Sequence, residues 1–277
     1  MPNVKLPTGV DLYYETHGQG EPLIFVPSTA YSGEVWKPSQ MPLASSLNLI
    51  FHDPRGCGRS VASQSVYTIE QMALDIVALM EHLKLPAAHL IGHSMGGRIA
   101  LSLAQNFPGK VKSLIMAASG SGPAARPGSD CIPGLPHRLV LDMVEMGFEK
   151  FIYDEIVESD TFFTKEFRTA HRDKVEEFFK IAWATHAKLD PFIHLCMARH
   201  NFEATHRLGD VQAPTLVLIG EADTVGSNHI AQSKVLLERI RGAEMKVLKG
   251  QSHGFFWQAP EQTNGVILEW VKRHSGK

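Results

Sequence analysis

The sequence predicts an α/β fold, a mostly parallel, doubly wound sheet interrupted by one long helical insertion. Three observations carry this. Through residue 117, short apolar runs alternate with helix-length amphipathic stretches, the pattern of parallel strands joined by crossover helices. The alternation returns with "APTLVLIG" at residues 213–220, a buried-strand pattern opened by a proline. Between them, residues 121–209 carry helical periodicity and no strand-like run.

Taken in order, strand-like runs cover residues 10–16, 23–27 and 48–52, separated by Gly and Pro signals that include Gly18-Gln19-Gly20. An amphipathic helix follows over about residues 69–83, then a strand at 89–92, a helix at 95–106 and a strand at 111–117. Gly120-Ser121-Gly122-Pro123 marks the break into the insertion, whose clearest helical stretches are 152–157 and 175–184. A strand at 244–248 and a helix at 260–273 complete the sheet unit. The expected division is a core of residues 1–120 and 210–277 and a helical insertion of residues 121–209.

Composition narrows the function. A chain of 277 residues with 44% hydrophobic content is long enough to bury a large core. Its 27 basic and 29 acidic side chains leave a net charge of −2, so no overall field draws it to nucleic acid or an anionic membrane, and a small-molecule partner is expected. No signal-peptide core follows Met1, and no apolar run spans a bilayer. Three cysteines, Cys57, Cys131 and Cys196, lack C-x-x-C spacing, which suits a reducing cytoplasm. His186, His194, His200 and His206 have no metal-ligand arrangement, so neither a metal nor another cofactor is expected.

The stretch "LIGHSMGGRIALSLA" at residues 90–104 carries the chemistry. A strand runs into Gly92-His93-Ser94-Met95-Gly96 and out into a helix, which matches a nucleophile elbow: a strained turn that exposes a serine hydroxyl above the strand ends. Gly92 and Gly96 permit close approach of strand and helix, and the Met95 N–H, at the helix start, can donate to a developing oxyanion. The competing reading is an ordinary glycine-rich turn.

A serine hydroxyl needs a base that later returns the proton. Of 14 histidines, His253 in Gly250-Gln251-Ser252-His253-Gly254 follows the last strand and projects from the same sheet edge as Ser94. His93, beside Ser94 in sequence, points away from it in elbow geometry and is expected to pack or to support the site. The carboxylate that orients the histidine is Asp223, delivered to that edge by the strand ending at Gly220; the chain order is then Ser94, Asp223, His253. Glu221 is the alternative acid, and an aspartate there could instead cap a helix. Asp210 lies at the wrong end of the strand.

With these residues the chain resembles the α/β-hydrolase family over nearly its whole length. "DPRGCGRS" at residues 53–60 is similar to the family's loop after an early strand, and "FPGKVKSLIM" at residues 107–116 to the segment after the elbow helix. The resemblance implies the α/β-hydrolase fold, with the insertion as a lid over the substrate. Read from the residues, Arg55, Gly56 and Gly58 hold a tight turn rather than a substrate. One departure stands out: where the family usually has His-Gly after the third strand, this chain has Pro27-Ser28. Aligned to that pattern, the Thr29 N–H becomes the second oxyanion donor. Arg98 resembles the arginine of the menaquinone-pathway branch, whose elbow also reads Ser-Met-Gly-Gly-Arg, and is a candidate anchor for a substrate carboxylate, against a surface ion pair. Phe148, Phe162, Phe163, Phe178, Phe179 and Trp183 are available to the pocket, although aromatics at helical spacing are more often core. Phe163 and Trp183 are carried as candidate substrate contacts.

The expected activity is a serine hydrolase that cleaves a carboxylic ester, lactone or thioester through an acyl-enzyme. Two alternatives remain open: hydrolysis of a carbon–carbon bond in a diketone-like ring-fission product, and a small-molecule receptor on the same scaffold. Dehalogenase and epoxide hydrolase readings are disfavoured because those members carry aspartate where Ser94 stands.

Overall fold

The computed structural model describes residues 3–62, 67–122, 137–225 and 229–276. Pro123, Cys131 and the opening of the insertion lie outside the described residues.

The described strands are β1 (Asn3–Lys5), β2 (Val10–His17), β3 (Glu21–Val26), β4 (Leu47–His52), β5 (Val61–Ala62), β6 (Ala88–His93), β7 (Val111–Ala117), β8 (Thr215–Gly220) and β9 (Glu244–Leu248). They form one sheet in the order β1-β2-β4-β3-β6-β7-β8-β9, with β5 paired to β2. From β4 to β9 every pairing is parallel, while β2 runs antiparallel to β1, β4 and β5. The central strands are continuous in apolar character because helices cover both faces. All six residues of β6 and all six of β8 are buried. At the margin, β9 reads Glu-Met-Lys-Val-Leu with only Leu248 buried, and its charges blunt an edge that would otherwise invite pairing.

The helices are α1 (Lys37–Gln40), α2 (Ile69–His82), α3 (Met95–Asn106), α4 (His137–Met146), α5 (Phe148–Tyr153), α6 (Lys165–Ala170), α7 (Arg172–Ala184), α8 (Leu189–Asn201), α9 (His229–Arg239), α10 (Phe255–Gln258) and α11 (Pro260–Arg273). Helix α2 starts where Thr68 accepts a hydrogen bond from the Gln71 N–H, and it packs against α3, which lies on β6 and β7. From α4 to α8 the described chain between β7 and β8 holds helical elements and no strand, as the periodicity predicts. Among the described residues no helix is long and apolar enough to cross a membrane.

The topology locates the site. After β3 the chain moves to β4 on one side, then crosses back to β6 on the other, so β3 and β6 are parallel neighbours whose following loops diverge. A crevice opens at the carboxyl ends of strands at such a switch point. The loop after β3 carries Ser28 and Thr29, and the turn after β6 carries Ser94.

The "DPRGCGRS" loop is held as the sequence predicts. Arg55, 1% exposed, grips Asp75 of α2 through Nε at 2.7 Å and Nη2 at 2.6 Å. The buried Asp53 carboxylate accepts from the Arg59 N–H and Nε at 2.9 and 2.8 Å. Cys57 is buried there, and its enclosure pushes the thiol well above its ordinary range, away from nucleophilic use.

Candidate active site

Ser94 sits between β6 and α3 at φ 53°, ψ −115°, a conformation a non-glycine residue adopts only when its surroundings enforce it. The enforcement is visible. The Ser94 N–H donates to the Ala117 carbonyl at 2.9 Å, and the Ser94 carbonyl accepts from Ser119 Oγ at 2.6 Å and from the Gly97 N–H at 3.0 Å. A Cβ on Gly92 would stand 2.2 Å from the Gly96 carbonyl oxygen, and one on Gly96 would stand 2.1 Å from that of Val26. Both glycines are therefore required by close approach of strand, helix and neighbouring loop.

His253 and Asp223 converge from two other strand ends. His253 Nδ1 lies 2.9 Å from Asp223 Oδ2, with both side chains almost wholly buried. Nδ1–H donates to the carboxylate, which leaves Nε2 as the acceptor. The other Asp223 oxygen, Oδ1, accepts from the Val225 N–H at 3.0 Å, which fixes the carboxylate plane. Glu221 is exposed and its Oε2 accepts from the Gly250 N–H at 3.0 Å, so it braces the turn beneath His253 and stands apart from the imidazole.

The segment around His253 is tied down on both sides. Gly254 N–H donates to the Phe162 carbonyl at 2.7 Å, and Ser252 Oγ donates to the same oxygen at 2.6 Å. His93 is 1% exposed; its Nε2–H donates to the His253 carbonyl at 3.0 Å, and its ring lies among Trp36, Phe256 and His253. The supporting role expected for His93 is what its contacts describe.

Ser94 and His253 open onto one cavity of about 140 Å³. The polar residues on its wall include Ser28, Thr29, Glu155 and Arg199, and the apolar ones include Tyr31, Phe151, Ile152, Phe162 and Phe192. Thr29 thus shares the cavity wall with Ser94. Met95 is the first residue of α3, where helix geometry leaves the N–H without an intrahelical partner. His186, also on the wall, donates Nδ1–H to the Ala187 carbonyl at 2.7 Å; burial lowers its pKa from 6.5 to about 4, so it stays neutral and offers Nε2 as an acceptor.

Three candidate substrate contacts are corrected. Arg98 is 4% exposed and absent from the cavity wall; its Nη1 donates to the Arg199 carbonyl in the last turn of α8, where helix carbonyls lack intrahelical partners. Phe163 is fully buried against Phe162, Phe167 and Phe178, beneath the wall rather than in it. Trp183 stacks on Phe179 and His186, one layer behind the cavity. Of the aromatic residues proposed from the sequence, Phe162 is the one on the wall. Tyr31, Phe151, Phe192 and Arg199 were not foreseen, and only their position beside the elbow in space identifies them.

Residues 21–260 match the family model for the alpha/beta hydrolase fold. The chain belongs to the alpha/beta hydrolase family. Among its relatives in this family of hydrolases is the putative carbamate hydrolase RutD of Caulobacter sp. (strain K31), 26% identical over 94% of this chain and 95% of that one. A solved structure described as Est816, an N-acyl homoserine lactone degrading enzyme, is 25% identical with a TM-score of 0.79 and covers 98% of this chain and 100% of its own. A thermophilic esterase from Thermogutta terrifontis, 24% identical with a TM-score of 0.84 over 99% of each chain, shares the alpha/beta hydrolase fold. Among the described residues no three His, Cys, Asp or Glu side chains gather into a metal-ligating group.

Proposed function

We propose that this alpha/beta hydrolase is a serine hydrolase that cleaves a carboxylic ester, lactone or thioester of a small molecule through an acyl-enzyme. The observation that carries the reading is the strained Ser94 opening onto the same cavity as His253, whose Nδ1 is held 2.9 Å from the buried Asp223 carboxylate. Ser94 Oγ attacks the carbonyl carbon as His253 Nε2 takes its proton. The Met95 and Thr29 N–H groups hold the oxyanion, and Asp223 stabilises the imidazolium. The intermediate collapses, the leaving alkoxide or thiolate takes the proton from His253, and a water activated by the same imidazole releases the acid. Relatives named for carbamate hydrolysis and lactone degradation support acyl transfer as the reaction class.

On the same reading, the helical segment within residues 121–209 is a lid, because α5 supplies Phe151 and Ile152 and α8 supplies Phe192 and Arg199 to the cavity wall. The test is a fluorophosphonate probe with the modified peptide identified by mass spectrometry. Rapid labelling of Ser94 that is lost in His253→Ala supports the enzyme. A folded protein that resists the probe and turns over no ester, lactone or thioester points instead to a receptor.

A further inference from the structure

The cavity that holds Ser94 has a cation in its polar wall. Arg199 sits in the last turn of α8 and is held through its backbone once and its guanidinium twice. The buried Arg98 guanidinium fixes its backbone by donating to its carbonyl oxygen. Arg199 Nη1 donates to Thr29 Oγ1 at 3.3 Å, and Nη2 donates to His200 Nε2 at 3.2 Å. A guanidinium carries five N–H donors in a planar fork. Two are directed to these neighbours, and among the described residues no carboxylate lies within ion-pair distance of the rest.

Glu155 is the carboxylate on the same wall, and it weighs against an anionic ligand unless it stands clear. It is solvent-exposed, on the π-turn Asp154–Glu158, and makes no ion pair with Arg199. Partial desolvation by the neighbouring chain raises its carboxyl above the ordinary carboxylate range, and the Arg199 charge offsets this only in part. A cation pre-set on the wall of the cavity that Ser94 opens onto, with donors of its fork left over from Thr29 and His200, fits a planar anion.

Resting on the serine-hydrolase reading, we propose that Arg199 binds a carboxylate of the substrate, so that the preferred ester or lactone is an anion with a second, non-reacting acid group.

Two matched pairs test the charge. One sets the mono-4-nitrophenyl ester of glutaric acid against 4-nitrophenyl pentanoate; the other sets 4-acetoxybutanoate against butyl acetate, placing the carboxylate on the acyl and the alcohol side in turn. The protein is expected to favour the anion in one pair by kcat/KM. Arg199→Gln is expected to lower that preference ratio by about 30-fold, the size of one charge-assisted contact. Arg199→Lys should restore part of it, and Glu155→Gln should enlarge it. Neutral esters preferred in both pairs, or equal losses on both members in Arg199→Gln, would overturn the assignment. Calorimetric titration of monomethyl glutarate into Ser94→Ala separates this idea from the hydrolase reading. Saturable binding that Arg199→Gln weakens at least tenfold supports the anion site even if no ester is turned over, and no binding to Ser94→Ala overturns it even if esters are.

Discussion

Ser94 is buried to 8% exposure in a turn whose backbone contacts do not involve Oγ, so removing that atom should leave the fold intact. Ser94→Ala is expected to lower kcat on an activated short-chain ester by at least about 10³-fold with an unchanged unfolding midpoint, and His253→Ala to do nearly the same. Asp223→Asn keeps the imidazole but loses the Nδ1–H acceptor charge, so it should retain more activity than either. Glu221→Gln, on the other side of the turn, is the control; a larger loss there than in Asp223→Asn would move the acid to Glu221. These residues were legible because each requires only a place at the end of a strand, which the strand pattern supplies. The cavity residues were not. An arginine's destination depends on which carbonyl or ligand lies within reach of a long side chain. Arg98 reads like a substrate anchor until the carboxyl end of α8 is seen to fall across it, and Arg199 has no motif around it at all.

The elbow is an element whose stability and chemistry oppose each other. Holding Ser94 at φ 53°, ψ −115° costs about 1–3 kcal/mol, whereas glycine adopts such angles freely. Ser94→Gly gains that relief and loses about 0.4–1 kcal/mol through the more flexible unfolded chain. It should therefore be more stable than the equally inert Ser94→Ala by about 1 kcal/mol in urea unfolding at matched m-values. A less stable glycine variant would mean that the turn is relaxed as it stands. At this scale the sequence showed β6, α3, β7 and β8 well, because long runs of one periodicity leave little choice. Two-residue β5 and three-residue β1 escaped it, since their existence depends on pairing with β2 rather than on any pattern of their own. Helical spacing within the insertion identified apolar faces but could not say which faced the cavity. Phe162 and Phe163 are consecutive, and one lines the wall while the other is sealed beneath it.

For the molecule as a whole, acid should be destabilising before ordinary carboxylates titrate. Burial lowers the imidazoles of His52 and His89 from 6.5 to about 4. Below 6.5 the unfolded chain takes up protons that the folded chain refuses, so stability is fully present above pH 6.5 and is lost as pH falls through about 4. Each histidine contributes up to about 3 kcal/mol across that window. Urea midpoints should fall between pH 6.5 and 4.5, and His52→Leu should flatten the slope; a level profile would contradict the burial argument. The remaining question is which bond the assembled site breaks. Carbon–carbon hydrolysis of a ring-fission product requires that a dienol first be ketonised while an extended anion is held in place. Arg199 suits an anion of either class, so charge does not decide between them. The number of steps does. Ketonisation requires a proton delivered to carbon before any bond is cleaved, and His93, beside Ser94 in sequence, already directs its Nε2–H to the His253 carbonyl. An ester needs no such preparation, because its alkoxide takes a proton directly from His253 once the tetrahedral intermediate collapses. In side-by-side stopped-flow absorbance measurements, some short ester or lactone is expected to show at least about tenfold higher kcat/KM than any ring-fission diketone. Efficient dienol consumption with only trace esterase activity would reverse that ranking and assign the site to carbon–carbon cleavage.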